Sequence, residues 1–166
     1  MYAQPQPWLA LDIGTRRIGV ALSNALGIAQ PLLTIQRTQP RRDQRSIIRL
    51  ARRHGCAGIV VGNPLRLSGE ASPQTARVHL FVDELKSLIA GSENPILAVY
   101  LWDERLSTAE VHSALEATGR SPADRHVRRH VVDQSAAALI LQAWLDHRAG
   151  SVTLLPPETY PETPQT

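Results

Sequence analysis

The chain has 166 residues, 43% of them hydrophobic and only 4% aromatic, a composition that fits one globular domain with a substantial core. Its formal net charge is +3, and its single cysteine, Cys56, excludes an internal disulfide and the class of disulfide-stabilised secreted domains. No secretory signal and no uninterrupted membrane-spanning segment can be read from the sequence, so we expect a cytoplasmic protein without a membrane partner.

Arginine supplies nearly all of the positive charge, since Lys86 is the only lysine. Arginine pairs bidentately with phosphate, so a basic, arginine-rich chain favours a nucleic-acid partner. A GC-rich genome that encodes arginine in place of lysine explains the same composition. The arginine content therefore favours a nucleic-acid partner but does not by itself exclude the compositional explanation.

Five short apolar runs predict strands, and periodic segments between them predict helices. Trp8 to Ala21 reads as a hairpin that turns at Gly14 to Arg17, and Ala29 to Gln36 reads as a third strand, held to an edge or a strand start by Pro31. The remaining predicted elements, in chain order, are a helix from Arg41 to His54 closed by Gly55, a buried strand from Gly58 to Gly62, a helix from Ser72–Pro73 to Ala90, a strand from Pro95 to Trp102, a helix from Ser107 to Gly119 and a helix from Val131 to His147.

This order of elements predicts an α/β fold with a five-stranded mixed sheet flanked by helices. Residues 1–150 are expected to form a single domain, and the proline-rich residues 151–166 a flexible tail. The segment from Gly119 to His130 is the most basic and the least apolar part of the domain.

Three acidic residues stand at the margins of predicted core faces. Asp12 ends an apolar strand, and Glu104 extends the strand face that carries Tyr100 and Trp102. Asp133 shares a helical stripe with Ala137, Ile140 and Trp144, four, seven and eleven residues further on. All three are therefore expected to face the sheet.

Acidic side chains that meet in one place repel one another unless a cation lies between them, and carboxylate oxygens suit Mg²⁺ or Mn²⁺. Such ions activate water and stabilise the leaving oxygen in phosphodiester cleavage. Each residue also has a simpler interpretation. Asp12 can cap the Gly14–Thr15 turn, Glu104 can pair with Arg105, and Asp133 can be a helix N-cap.

Four segments resemble the YqgF/RuvX family of RNase H-like nucleases, and they occur in the family's order across most of Trp8 to Asp146. These are LALDIGTRRIGVALS, IVVGNPLRLSGEASPQTARVHLFVDEL, VYLWDERLSTAEV and VVDQSAAALILQAWLD. The resemblance implies an RNase H-like fold and a catalytic metal site of Asp12, Glu104 and Asp133. Against the family pattern, Asn63 and Arg66 vary the loop after the central strand, and arginines precede Asp133 where lysines are common.

The family resemblance also implies a nucleic-acid substrate, either precursor 16S ribosomal RNA cut near its 5′ end or a branched DNA junction. We prefer the ribosomal role and leave the oligomeric state open between monomer and homodimer. The residues expected to contact nucleic acid are Thr15, Arg16, Arg17, Asn63, Arg105, Arg120, Arg125, Arg128 and Arg129.

Two further hypotheses come from other functional classes. DIGT also opens the phosphate loop of actin-like ATPases, but those enzymes need a second, similar domain that this chain lacks. A noncatalytic RNA-binding or ribosome-assembly factor would have the same fold and would bind RNA without cutting it.

Overall fold

The computed structural model describes residues 5–105 and 135–153, with side chains up to residue 149. Five strands form one sheet: β1 (Trp8–Ile13), β2 (Arg17–Ser23), β3 (Ala29–Gln36), β4 (Gly58–Asn63) and β5 (Ala98–Asp103). Their spatial order is β3-β2-β1-β4-β5, with β2 antiparallel to β1 and β3, and β4 parallel to β1 and β5. The predicted mixed sheet is confirmed.

The prediction for Pro31 is also confirmed, because β3 is an edge strand of the sheet. The register between β2 and β3 shifts at Val20/Ala21, where Val20 pairs with Leu33 and Ala21 pairs with Pro31. Leu32 is the extra residue of this bulge. Proline has no amide hydrogen for the strand ladder, so an interruption of the pairing beside Pro31 costs little.

Two helices cover one face of the sheet: α1 (Pro40–Arg53) and α2 (Pro73–Ala90). Gly55, with a φ of 64°, follows α1 in the left-handed conformation expected of a C-terminal cap. Ser72 caps α2 in a reciprocal capping box with Thr75. Alternate residues of β1 and β4 share one core cluster with residues of these helices. The strands contribute Leu9, Leu11, Ile13, Ile59 and Val61, and the helices contribute Ile47, Val78 and Leu85.

A third helix, α3 (Ala136–Thr153), covers the opposite face and contacts β1, β2, β3 and β4. Ala137, Ile140 and Trp144 are buried there against Ala10, Val60 and Trp102. The part of the predicted helical stripe formed by Ala137, Ile140 and Trp144 is thus confirmed, but both predicted limits of its helix are wrong. Ser135 is not helical, and the helix continues to Thr153, beyond the predicted end at His147.

The start of α3 is set by its N-cap. The Ala138 amide donates to Ser135 Oγ at 3.1 Å, and the Leu139 amide donates to the Ser135 carbonyl at 3.3 Å. Serine is a preferred N-cap because its hydroxyl accepts from an amide of the first turn that has no helical partner. Apolar periodicity extended the predicted helix upstream to Val131, but the local hydrogen bonds begin it at Ala136.

None of the described helices could span a membrane. The helix predicted from Ser107 to Gly119 lies outside the described residues, although Glu104 and Arg105, directly after β5, already have helical backbone.

Candidate active site at the carboxyl ends of the parallel strands

Asp12 occupies the next-to-last position of β1, on the face that α3 covers. Leu9, Leu11 and Ile13 point to the opposite face, so strand alternation directs Asp12 with Ala10 toward α3. Asp12 pairs with Gly19 in the β1–β2 register and is partly buried. Because Gly19 has no side chain, nothing from β2 projects over the Asp12 carboxylate from this position.

The turn after Asp12 closes through backbone atoms. The Gly14 amide donates to the Arg17 carbonyl at 2.9 Å, and a Cβ at position 14 would lie 2.7 Å from that oxygen. The Gly14 amide, one of the donors that a turn-capping Asp12 could bind, is thus already satisfied. This geometry favours a different role for the Asp12 carboxylate.

Glu104 is the first residue after β5 and lies over Gly62 of β4. A Cβ built on Gly62 would overlap Glu104 Oε1 and would stand 2.6 Å from Ile140 Cδ1 of α3. The missing side chain of Gly62 therefore provides the space that the Glu104 carboxylate occupies. A glycine within a strand often marks such a close approach.

Asp12 is close enough to Glu104 for its negative charge to affect the ionisation of Glu104. Burial raises the pKa of Asp12. Burial also raises the pKa of Glu104, and the negative charges of Asp12 and then Asp103 raise it further. Two partly buried carboxylates that resist ionisation together form a site that a cation would stabilise.

The donor set fits a hard divalent cation. Two carboxylates at the carboxyl ends of parallel strands offer oxygen ligands on one side and leave other positions open, which suits Mg²⁺ or Mn²⁺ better than zinc. Within residues 5–105 and 135–153 no cluster of three or more potential ligands among His, Cys, Asp and Glu occurs. The third expected ligand, Asp133, lies outside the described residues.

The start of α3 changes the reasoning that placed Asp133. Its expected direction depends on helical spacing to Ala137, Ile140 and Trp144, and of these four residues only the last three lie in α3 as described. Ala137 Cβ lies 3.7 Å from the Cβ position built on Gly19, as does Asp12 Cβ. The N-terminus of α3 is thus beside Asp12, and Asp133 precedes its N-cap Ser135 by two residues.

A groove of about 500 Å³ opens beside Asp12. The β1–β2 turn, the facing parts of β2 and β3, and residues Ser135–Ala137 at the start of α3 line it. Of the residues expected to contact nucleic acid, Thr15, Arg16 and Arg17 are exposed and line this groove. The groove therefore joins Asp12 to two arginines.

Two other expected contact residues have partners within the protein. Arg105 binds the Asp103 carboxylate, with Nη2 at 2.6 Å and Nε at 3.0 Å, and this pairing lowers the pKa of Asp103. The simpler interpretation of Glu104 as the partner of Arg105 is thus wrong, because the Arg105 guanidinium binds Asp103. Asn63 Oδ1 lies 3.0 Å from His79 Nε2. Arg120, Arg125, Arg128 and Arg129 lie outside the described residues.

Gly62, which shapes the site, is not among the residues predicted from the sequence, although an isolated glycine in a strand is itself a signal of close approach. Arg37 and Gln74, whose side chains bind the Gly14 and Ile13 carbonyls directly after Asp12, are not among them either. No local motif marks these two residues, because their partners are 23 and 61 positions away.

Comparison with known proteins places these features in a family. A family model described as "RuvX: Holliday junction resolvase" matches residues 6–147. A protein of Desulforudis audaxviator is 42% identical over 141 residues, which cover 84% of this chain and 94% of that one. A protein of Myxococcus xanthus is 37% identical over 158 residues, which cover 94% of this chain and 98% of that one. Both relatives carry the name "Putative pre-16S rRNA nuclease".

Among solved structures, the chain resembles Thermus thermophilus RuvC in complex with a Holliday junction substrate. The TM-score is 0.55 at 16% identity, and the match covers 89% of this chain and 98% of that chain. RuvC without that substrate gives a TM-score of 0.52 at 14% identity. The likeness is one of fold, and the expected RNase H-like fold is confirmed.

Proposed function

The chain belongs to the RuvX family, and we propose that it is a divalent-metal-dependent endonuclease that processes the 5′ end of precursor 16S ribosomal RNA in the cytoplasm. The observation that carries this proposal is the meeting of Asp12 and Glu104 at the carboxyl ends of β1 and β5. The names of the curated relatives favour the ribosomal substrate.

In the proposed mechanism Asp12, Glu104 and Asp133 hold Mg²⁺ or Mn²⁺. The bound cation would activate water and stabilise the leaving oxygen of the phosphodiester. Asp12 and Glu104 are partly buried, so a bound cation would offset the free-energy cost of their buried charges. Gly62 leaves the space that the Glu104 carboxylate occupies, and Asp12 near the end of β1 and Glu104 directly after β5 are both supported by the sheet.

Arg16 and Arg17 would bind substrate phosphates along the groove beside Asp12. Their guanidinium groups are exposed at the turn, where bidentate contacts with a phosphate are sterically open. We expect nucleic-acid binding to weaken steeply as salt concentration rises, because counterions are released when arginines neutralise phosphates. Arg120, Arg125, Arg128 and Arg129 are proposed as further phosphate contacts.

A second candidate substrate is a four-way DNA junction. The description of the family model and the fold shared with RuvC favour it. One junction needs two symmetric cuts, so this alternative requires two copies of the chain on one substrate. A homodimer is expected in that case, whereas RNA processing is compatible with a monomer.

The discriminating experiment is cleavage of precursor 16S RNA and of a four-way DNA junction side by side, with Mg²⁺, with Mn²⁺ and with chelator. The proposal predicts metal-dependent cuts near the RNA 5′ end and weaker or no cutting of the junction. Paired symmetric cuts in the junction alone would favour the second candidate. Tight RNA binding without a cut product under either metal would instead support a noncatalytic assembly factor.

A further inference from the structure

The peptide carbonyls directly after Asp12 are each bound by a side chain from elsewhere in the fold. Gln74 Nε2, at the start of α2, donates to the Ile13 carbonyl at 2.7 Å. Arg37 Nη1, just after β3, donates to the Gly14 carbonyl at 3.0 Å. The segment that follows the first acidic residue is therefore held at two consecutive positions.

Arg37 is itself firmly placed. Its amide donates to the Arg16 carbonyl at 2.9 Å, so backbone and side chain of one residue bind both ends of the turn. Its guanidinium lies 5.7 Å above the centre of the Phe81 ring, and its Nε lies 4.0 Å from Asp43 Oδ2. The Asp43 side chain is only 3% exposed and accepts from the Thr38 amide and hydroxyl.

Gln74 is placed by the start of α2. It follows Ser72 and Pro73, where the Ser72–Thr75 capping box fixes the first turn. The Thr75 hydroxyl also donates to the Pro64 carbonyl at 2.8 Å, which ties this turn to the loop after β4. The Gln74 amide therefore comes from a rigid support that also contacts the chain beyond Gly62.

Both side chains act from the sheet face opposite the acidic site. Ile13 packs in the core under α1 and α2, whereas Asp12 points to the α3 side. Arg37 and Gln74 are not among the residues that line the groove beside Asp12. Through their hydrogen bonds they can fix the backbone next to Asp12 and thereby the position of its side chain.

We propose that Arg37 and Gln74 are positioning residues that set the Asp12 carboxylate for cation binding. The inference rests on the proposed function and adds a supporting shell to its site. Without the two donors, the Ile13 and Gly14 carbonyls lose hydrogen bonds in a partly buried setting and the turn must move to find others. Since Asp12 is adjacent to Ile13, that movement displaces the ligand.

The test is calorimetric titration of the full chain with Mn²⁺ in the absence of nucleic acid, for wild type, Arg37→Ala, Gln74→Glu and Asp12→Asn. Asp12→Asn should abolish binding. Arg37→Ala and Gln74→Glu should each weaken the Mn²⁺ affinity about tenfold, as loss of supporting hydrogen bonds does at other metal sites. Cleavage should show a lower kcat in both variants with an unchanged KM for nucleic acid.

Two further variants separate positioning from general destabilisation. Arg37→Lys keeps a cationic donor near the Gly14 carbonyl and should recover part of the Mn²⁺ affinity. Arg45→Ala removes an exposed arginine from α1 and should bind Mn²⁺ as the wild type does. If Arg37→Ala does not fold, the Mn²⁺ affinities of Gln74→Glu and Arg37→Lys test the positioning role, and both should be weaker than that of the wild type.

Wild-type Mn²⁺ affinity in folded Arg37→Ala and Gln74→Glu would overturn this inference while leaving the proposed function intact. Absence of Asp12-dependent Mn²⁺ binding in the wild type would overturn the proposed function together with it. The two failures are thus distinguishable in one set of titrations.

Discussion

At the scale of single residues, the site consists of two carboxylates and of a glycine whose lack of a side chain makes room for one of them. Asp12 and Glu104 are both partly buried, the charge of Asp12 raises the pKa of Glu104, and Gly62 leaves the space that the Glu104 carboxylate occupies. A buried charge without a partner costs free energy, so such a pair is retained at a cost to stability. That cost is the usual sign of a functional arrangement.

Gly62→Ala should disable the site through one methyl group. The added Cβ would stand 2.6 Å from Ile140 Cδ1 and would overlap Glu104 Oε1, so either α3 or the acidic residue must move. We expect a loss of about 1–3 kcal/mol in the free energy of unfolding, typical of overpacking. Cleavage should fall by about 100-fold, as expected for a displaced catalytic group.

The matched control for this substitution is Gly91→Ala at the end of α2. There an added Cβ meets only the Ser87 carbonyl at 3.5 Å, an ordinary contact far from the acidic pair. Urea denaturation and cleavage kinetics should both be close to those of the wild type. Full activity in Gly62→Ala would contradict the placement of Glu104.

Amide variants of the acidic pair should be more stable than the wild type in the absence of metal. Burial raises the pKa of Asp12 and Glu104, so the folded state holds protons that the unfolded state has already released. Wild-type stability should therefore fall as pH rises from the ordinary carboxyl range through the raised values. In Asp12→Asn and in Glu104→Gln, the stability of the fold should decrease less with rising pH than it does in the wild type.

Thermal unfolding in chelator, followed from pH 4 to pH 8, measures this effect. The melting temperatures of both amide variants should exceed that of the wild type by a few degrees at neutral pH and converge with it in acid. Added Mn²⁺ should raise the melting temperature of the wild type alone. Amide variants that are less stable at neutral pH would show that the carboxylates stabilise the apo fold.

At the scale of elements, the sequence predicted those whose signals are local. Alternation and flanking glycines located β1 and β2, Pro31 marked β3 as an edge strand, and Ser72–Pro73 gave the start of α2. The start of α3 was misjudged because the apolar stripe continues upstream of the residue that caps the helix. The hydrogen bond from the Ala138 amide to Ser135 Oγ marks the start of α3, which apolar periodicity alone does not locate.

The difference between local signals and long-range contacts also explains what could be predicted of the site. Strand alternation correctly directed Asp12 and Glu104 toward one face, because each lies on or directly after a regular strand. Arg37 and Gln74 could not be found in this way, since each contact depends on how distant elements pack. The sequence placed acidic side chains on a face, but not the contacts that hold them there.

At the scale of the whole molecule, topology brings the site together. β1, β4 and β5 are parallel, so their carboxyl ends share one edge of the sheet, where α/β folds commonly bind ligands. Asp12, Gly62 and Glu104 are far apart in sequence and meet at that edge. The family match across residues 6–147 spans this entire arrangement.

The central claim is that this edge is a metal-dependent nuclease site, and Asp12→Asn tests it most directly. Single-turnover cleavage and equilibrium binding of the same precursor 16S RNA should be measured for wild type and variant in Mn²⁺ and in chelator. We predict that the variant binds the RNA as the wild type does and yields no cut product, and that the wild type cuts only with metal. Cleavage by Asp12→Asn at the wild-type rate would contradict the account.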